Sequence, residues 1–202
     1  MVNEIKQTLA TVILKPKQKI EETLMTTNKF KAGDSFPVIT LPTVNGAKVT
    51  LGEPQNGTDW KMIVVYRGKH CPLCTRYLNE IEKVKAEFFT LGIDMVAVSA
   101  DSQAQANEHF KELAVSYPIA YGLSINHMKE LGLYISNPRS AQETDHPFAE
   151  PGLFVVNEKG QVQVIDISNG PFVRPELDVL LSGLSFIRNP ENNYPIRGTY
   201  RY

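Results

Sequence analysis

The run Met62-Ile63-Val64-Val65-Tyr66-Arg67-Gly68-Lys69-His70-Cys71-Pro72-Leu73-Cys74 decides how this chain folds. Its first five residues are continuously apolar, the pattern of a strand covered on both faces. From Pro72 the period changes, and Leu73, Tyr77, Leu78, Ile81, Val84, Phe88 and Leu91 mark one face of a helix that Gly92 ends. Ile93 to Val98 reads as the next buried strand and Ser102 to Leu113 as a second helix. Strand, helix and strand in this order require parallel pairing through a right-handed crossover. The only two cysteines of the chain therefore lie where a strand gives way to a helix.

That position has chemical consequences. A thiol at a helix N-terminus meets unpaired backbone N–H groups and the positive end of the helix dipole, which favour the thiolate. Cys71 and Cys74 are three positions apart and can close a disulfide with little backbone movement, so a redox-active dithiol is the leading reading. His70 would either raise the thiolate population when protonated or stand as a solvated loop residue. Against this stand inert buried thiols, since free cysteine is commonly buried, and a metal site. Zinc needs four ligands, and His70, His109, His127 and His146 lack ligand-pair spacing. Cu(I) held by both thiolates and a distant histidine such as His146, or a redox sensor without turnover, is the alternative function.

Composition narrows the classes. At 202 residues the chain is long enough for one domain with a substantial core, and a net charge of -1 gives no footprint for nucleic acid or an anionic membrane. No apolar stretch approaches the roughly 20 residues of a membrane-spanning helix. Leu9 to Leu14 is apolar but short, flanked by charge and followed by no cleavage pattern, so it reads as mature sequence. The expected compartment is the cytoplasm, where structural disulfides are uncommon and a reactive pair is favoured over a staple.

Residues 1–30 read as a helical N-terminal arm interrupted at Pro16, and 31–202 as the main domain. Phe36 to Leu51, turning at Asn45-Gly46, is a short hairpin. Pro118 to Tyr121 is a short strand, Ser124 to Leu131 a helix, and Ser136 to His146 a polar loop. Gly152 to Val156 and Gln161 to Ile167, joined by Asn157-Glu158-Lys159-Gly160, form a second hairpin, before a helix over Pro175 to Ile187 with Leu177, Leu180, Leu181 and Leu184 inward. A βαβ half followed by a hairpin and a helix is the thioredoxin layout: an α/β fold with a central mixed sheet flanked by helices.

Several segments carry a family resemblance. Gly33-Asp34 with Phe36-Pro37, Leu41-Pro42-Thr43-Val44-Asn45-Gly46, the run from Val64 to Cys74, Leu131-Gly132-Leu133-Tyr134, and Glu150-Pro151-Gly152-Leu153-Phe154-Val155-Val156 occur in order. Over Lys31 to Gly198 the chain resembles a peroxiredoxin-like protein of the alkyl hydroperoxide reductase and thiol-specific antioxidant family, in a Cys-x-x-Cys subgroup. The resemblance implies a thiol-dependent antioxidant oxidoreductase that cycles Cys71 and Cys74 to reduce hydroperoxides or disulfides. Electrons would come from a thiol system such as thioredoxin or glutathione, with no bound cofactor and no metal, and homodimers are common in such relatives. It also places Pro151 beside the cysteines in the cis form.

The departures are informative. In the family pattern Pro-x-x-x-Thr-x-x-Cys the peroxide-attacking residue would be Cys74, with Cys71 at the threonine position and Arg67 at the proline position. An arginine usual before the later strand would fall near Glu150, a carboxylate that would oppose thiolate formation. Arg67 and Arg76 are the nearby candidates to replace it. In the thioredoxin register the roles reverse, and Cys71 attacks while Cys74 resolves. The sequence leaves both orders open.

Overall fold

The computed structural model describes residues 30–200, so the expected N-terminal arm lies outside the described residues. A small hairpin comes first, β1 (Thr40–Pro42) against β2 (Lys48–Thr50), turning where Gly46 has φ +84°. The apolar run becomes β3 (Trp60–Val65), all of it buried, and leads through residues 66–71 into α1 (Pro72–Thr90). β4 (Ile93–Val98) pairs parallel to β3, as the strand-helix-strand pattern requires. Helix α2 (Gln103–Phe110) is shorter than the expected segment. It starts at a capping box in which Ser102 and Gln105 exchange hydrogen bonds. The short β5 (Ile119–Ala120) and α3 (Ile125–Glu130) follow.

The chain then makes the two-residue bridge of β6 (Ile135–Ser136) with β7 (Phe148–Ala149), across the polar loop. β8 (Gly152–Val156) and β9 (Val162–Ile167) form the second hairpin, and α4 (Leu177–Arg188) closes the domain. The main sheet has the order β5-β4-β3-β8-β9, with β8 antiparallel to β3. This is the expected mixed sheet.

Side-chain alternation along β3 divides the core. Trp60, Met62, Val64 and Tyr66 face α1 and α4, together with Cys71 and Cys74. Ile63 and Val65 face the first hairpin, Phe30, Phe36 and Met128. Strand β3 also starts earlier than its apolar run: Lys61 is fully buried and its Nζ lies 2.6 Å from Asp94 Oδ2, its direct partner across β4. Burial lowers the Lys61 pKa, opposed by the hydrogen bond to Asp94.

The cis bond expected at Pro151 is not formed, because no described peptide bond is cis. The Glu150 N–H donates to the Tyr134 carbonyl at 2.8 Å, and the Pro151 carbonyl accepts from the Ser168 N–H at 3.0 Å. The backbone groups on both sides of the proline are thus paired, and the ordinary trans isomer, favoured by about 0.5–1 kcal/mol, is kept.

Candidate active site

Cys71 is the N-cap of α1 and Pro72 takes the first helical position, where a missing N–H costs nothing. The Cys74 and Thr75 N–H groups donate to the Cys71 carbonyl at 2.9 and 3.2 Å, so the first turn fixes the spacing of the two thiols. Both cysteines are free and buried. The hydrogen bond from the Cys74 thiol pulls the Cys71 pKa down to about 6. Burial opposes this, while the Arg67 and Arg174 charges assist. Burial and the same hydrogen bond push Cys74 far upward. Of the two thiols, Cys71 at the helix N-terminus is therefore the one favoured as thiolate.

This asymmetry predicts how the reduced protein titrates. Alkylation by iodoacetamide, followed across pH, is expected to rise through about pH 6 and then level. An ordinary thiol would keep gaining to its pKa of about 8.5. Because the folded-state pKa is depressed, its contribution to stability is present above the unfolded thiol's pKa and lost as pH falls through the folded one. A midpoint near that of free cysteine would exclude the arrangement.

The positively charged partner of the dithiol is Arg174, which sequence reasoning did not single out. Its Nη2 donates to Cys74 Sγ at 3.1 Å, its guanidinium lies 4.9 Å over the Tyr77 ring, and its Nε donates to the Pro171 carbonyl at 3.3 Å. The Tyr77 hydroxyl in turn donates to the Pro175 carbonyl at 3.0 Å, tying this loop to α1. The one sequence signal was an arginine enclosed by Pro171 and Pro175. Pro151, expected beside the cysteines, lines a small void with Val64, Tyr77 and Arg174.

The other candidates divide. Arg76 is exposed and lines an outer cleft with Glu80 and Phe172. Arg67 is close enough to act on Cys71, but its charge is shared with Glu143 at 3.3 Å and Glu150 at 3.5 Å. Glu150 is thus buried and no free anion beside the thiols: Ser136 Oγ also donates to it, at 2.6 Å. His70 packs on Phe148 at 4.5 Å, and burial, then Arg67, lower its pKa. A protonated His70 supporting the thiolate is corrected to a neutral one. His146 bonds through Nδ1 to Asp145 Oδ1 at 2.7 Å, and among the described residues no three metal-ligating side chains converge. The expected three-ligand Cu(I) arrangement is not assembled there.

Behind the cysteine loop lies a polar group that the sequence reading also missed. Asp101 is 1% exposed, and its Oδ2 accepts from the Lys69 N–H at 2.9 Å and Ser99 Oγ at 3.0 Å. Gly68 has φ +130°, and a Cβ there would stand 2.5 Å from Asp101 Oδ1, so only glycine lets the loop approach this carboxylate.

Comparison with known proteins agrees with this geometry. The redoxin family profile matches residues 31–181. No curated protein matches the sequence. Among solved structures the chain is similar to a cysteine-to-serine mutant of peroxiredoxin 6 of Arenicola marina, with TM-score 0.68, 15% identity, and 80% of this chain and 75% of that one covered. It is also similar to peroxidoxin BcpB of Mycobacterium tuberculosis, with TM-score 0.65, 18% identity, and 79% and 99% covered. A putative thiol:disulfide interchange protein DsbE of Chlorobium tepidum gives TM-score 0.58, 17% identity, and 79% and 99% covered. A profile spanning residues 31–181, the mixed sheet and the dithiol at the head of α1 agree: this chain belongs to the redoxin family as a peroxiredoxin-like member with a thioredoxin-like fold.

Proposed function

We propose that the protein is a thiol-dependent antioxidant oxidoreductase in which Cys71 attacks a hydroperoxide or a disulfide and Cys74 resolves. With a hydroperoxide, the Cys71 thiolate attacks one peroxide oxygen, the O–O bond breaks, and the alcohol leaves with a proton. The resulting sulfenic acid condenses with the Cys74 thiol, forming the disulfide and releasing water. With a disulfide, Cys71 forms a mixed disulfide that Cys74 displaces. Two electrons from a cellular thiol, such as thioredoxin or glutathione, restore the pair. The cycle suits a reducing compartment such as the cytoplasm.

One observation carries the order of attack: Cys71 is the N-cap of α1, where unpaired backbone N–H groups and the helix dipole favour its thiolate, and its pKa is lowered. Ionisation alone does not make a fast peroxidase. Lowering a thiol pKa by about two units multiplies the thiolate at pH 7 some 25-fold, but nucleophilicity falls by about six- to tenfold. The remaining acceleration needs donors aimed at the developing charge, and Arg174, 3.1 Å from Cys74 Sγ, is the guanidinium in contact with the dithiol. Arg174→Ala is expected to slow disulfide closure after one equivalent of peroxide by about tenfold, the value of a charge-assisted hydrogen bond. Arg76→Ala is expected to stay within about twofold. Rapid-quench trapping of the free thiols would measure both, and equal effects would remove Arg174 from the chemistry.

A further inference from the structure

Cys71 is only 3% exposed, so the approach of a hydroperoxide or a disulfide calls for local opening. The polar loop 137–147 is placed to provide it. It leaves the sheet at β6 and returns at β7, its neck closed by the pairs Ile135–Ala149 and Ser136–Phe148. Residues 139–145 line a cleft of about 890 Å³ together with Lys69 and His70, the two residues that precede Cys71. Movement of this loop therefore widens the way to the cysteine loop.

The loop is held by charge. Arg67 Nη2 donates to Glu143 Oε1 at 3.3 Å, and Arg67 Nε stands 3.5 Å from Glu150 Oε2, just past the neck. Elsewhere the loop is tied to α2 by Gln105 Nε2, which donates to Asp145 Oδ1 at 3.0 Å. The Arg139 N–H donates to Glu143 Oε2 at 2.7 Å, and this bond, then the Arg139 guanidinium and Arg67, hold the Glu143 carboxyl below the ordinary range against its burial. Glu143 is therefore an anion wherever Cys71 titrates. The charges of Arg67 and Arg174 both favour the Cys71 thiolate, beside the bond from Cys74. Of these two arginines Arg174 is bound to Cys74, and Arg67 is the one bound to the polar loop. Arg67 thus meets two carboxylates and one ionisable sulfur with a single charge. A thiolate draws on that charge, whereas a thiol or a disulfide sulfur, being neutral, does not.

We propose that loop 137–147 is a lid coupled to the dithiol through Arg67: the Cys71 thiolate competes with Glu143 for the guanidinium and loosens the loop, and oxidation of the pair returns Arg67 to Glu143 and closes it. The inference rests on the dithiol cycle above, since oxidation is what removes the charge on Cys71. It makes Glu143 a positioning residue that acts through Arg67. The coupling has the same size read from either end. Removing one carboxylate from the shared arginine is expected to lower the alkylation midpoint of Cys71 by about half a unit, and the thiolate should then favour loop opening by about threefold.

The test uses the full-length protein at slightly alkaline pH, where Cys71 is ionised and trypsin is active. Arg139 has an 87% exposed side chain in the loop, and the rate of the cut between Arg139 and Ser140, followed by mass, reports the open population. The cut is expected to be about threefold slower in the peroxide-oxidised protein and in Cys71→Ser than in the reduced parent. In Glu143→Gln the iodoacetamide midpoint of Cys71 should fall by about half a unit. Glu143→Asp keeps the charge and should bring the midpoint back toward the parent's, which a merely loosened loop would not do. Should Glu143→Gln fail to fold, the cleavage rates of the parent and Cys71→Ser decide alone. Equal cutting in all three forms, with an unmoved midpoint in Glu143→Gln, would overturn the coupling and leave the dithiol cycle intact wherever peroxide still forms the disulfide. Absence of that disulfide would remove the cycle instead, and the comparison of reduced parent with Cys71→Ser would still decide the coupling.

Discussion

Replacing Cys71 by serine is expected to abolish turnover, with a loss of at least three orders of magnitude in kcat/KM for any oxidant, because no second nucleophile occupies its place. Replacing Cys74 by serine should behave differently. The first oxidation should survive, and the product should stop at a Cys71 sulfenic acid or mixed disulfide. The Cys71 thiolate loses its closest thiol donor in that variant, but a serine hydroxyl at the same position can still donate, so the Cys71 pKa should move up only part of the way toward an ordinary thiol. Stopped-flow oxidation with mass analysis of dimedone adducts separates the outcomes. A Cys74→Ser protein that loses the first step while Cys71→Ser retains it would reverse the assigned roles and restore the register in which Cys74 attacks.

The second large effect concerns stability. Lys61→Ala would leave the Asp94 carboxylate inside the domain with no counter-charge, and removal of one partner from a buried pair costs about 3–5 kcal/mol. For a domain of this size that is about 10 °C in Tm. Asp94 also accepts backbone N–H groups from Gln55 at 3.1 Å and Met95 at 2.8 Å, so it cannot simply be made apolar. The double variant Lys61→Met with Asp94→Asn keeps an acceptor and a filled volume, and should recover most of the loss. Thermal unfolding of both variants checks this, and a single variant as stable as its parent would show that the pair is dispensable.

The sequence made the scaffold plain because its signals were periodic. The change from a continuous apolar run to helical spacing at Pro72 placed β3 and α1 correctly, and the two apolar strands around them gave the parallel pairing. Lys61 escaped because a lysine interrupts the apolar pattern, and its counter-charge stands 33 residues away on β4. Arg174 escaped for a similar reason: it reaches Cys74 across 100 residues from an irregular loop with no period to read. Nearness in sequence suggested Arg67 and Arg76, of which Arg76 is exposed and Arg67 is paired with Glu143 and Glu150. The family resemblance suggested a cis proline, where Pro151 is trans.

The place of β8 in the sheet bears on how the protein is born. Strand β3 is complete early in synthesis, yet its neighbour on one side is β8, which ends at Val156, and the arginine beside Cys74 follows later still. A ribosome-bound chain that has exposed only the cysteine loop holds an uncovered strand edge and thiols without their charged loop. A nascent chain stalled before its last hairpin would carry both cysteines without the arginine that contacts Cys74.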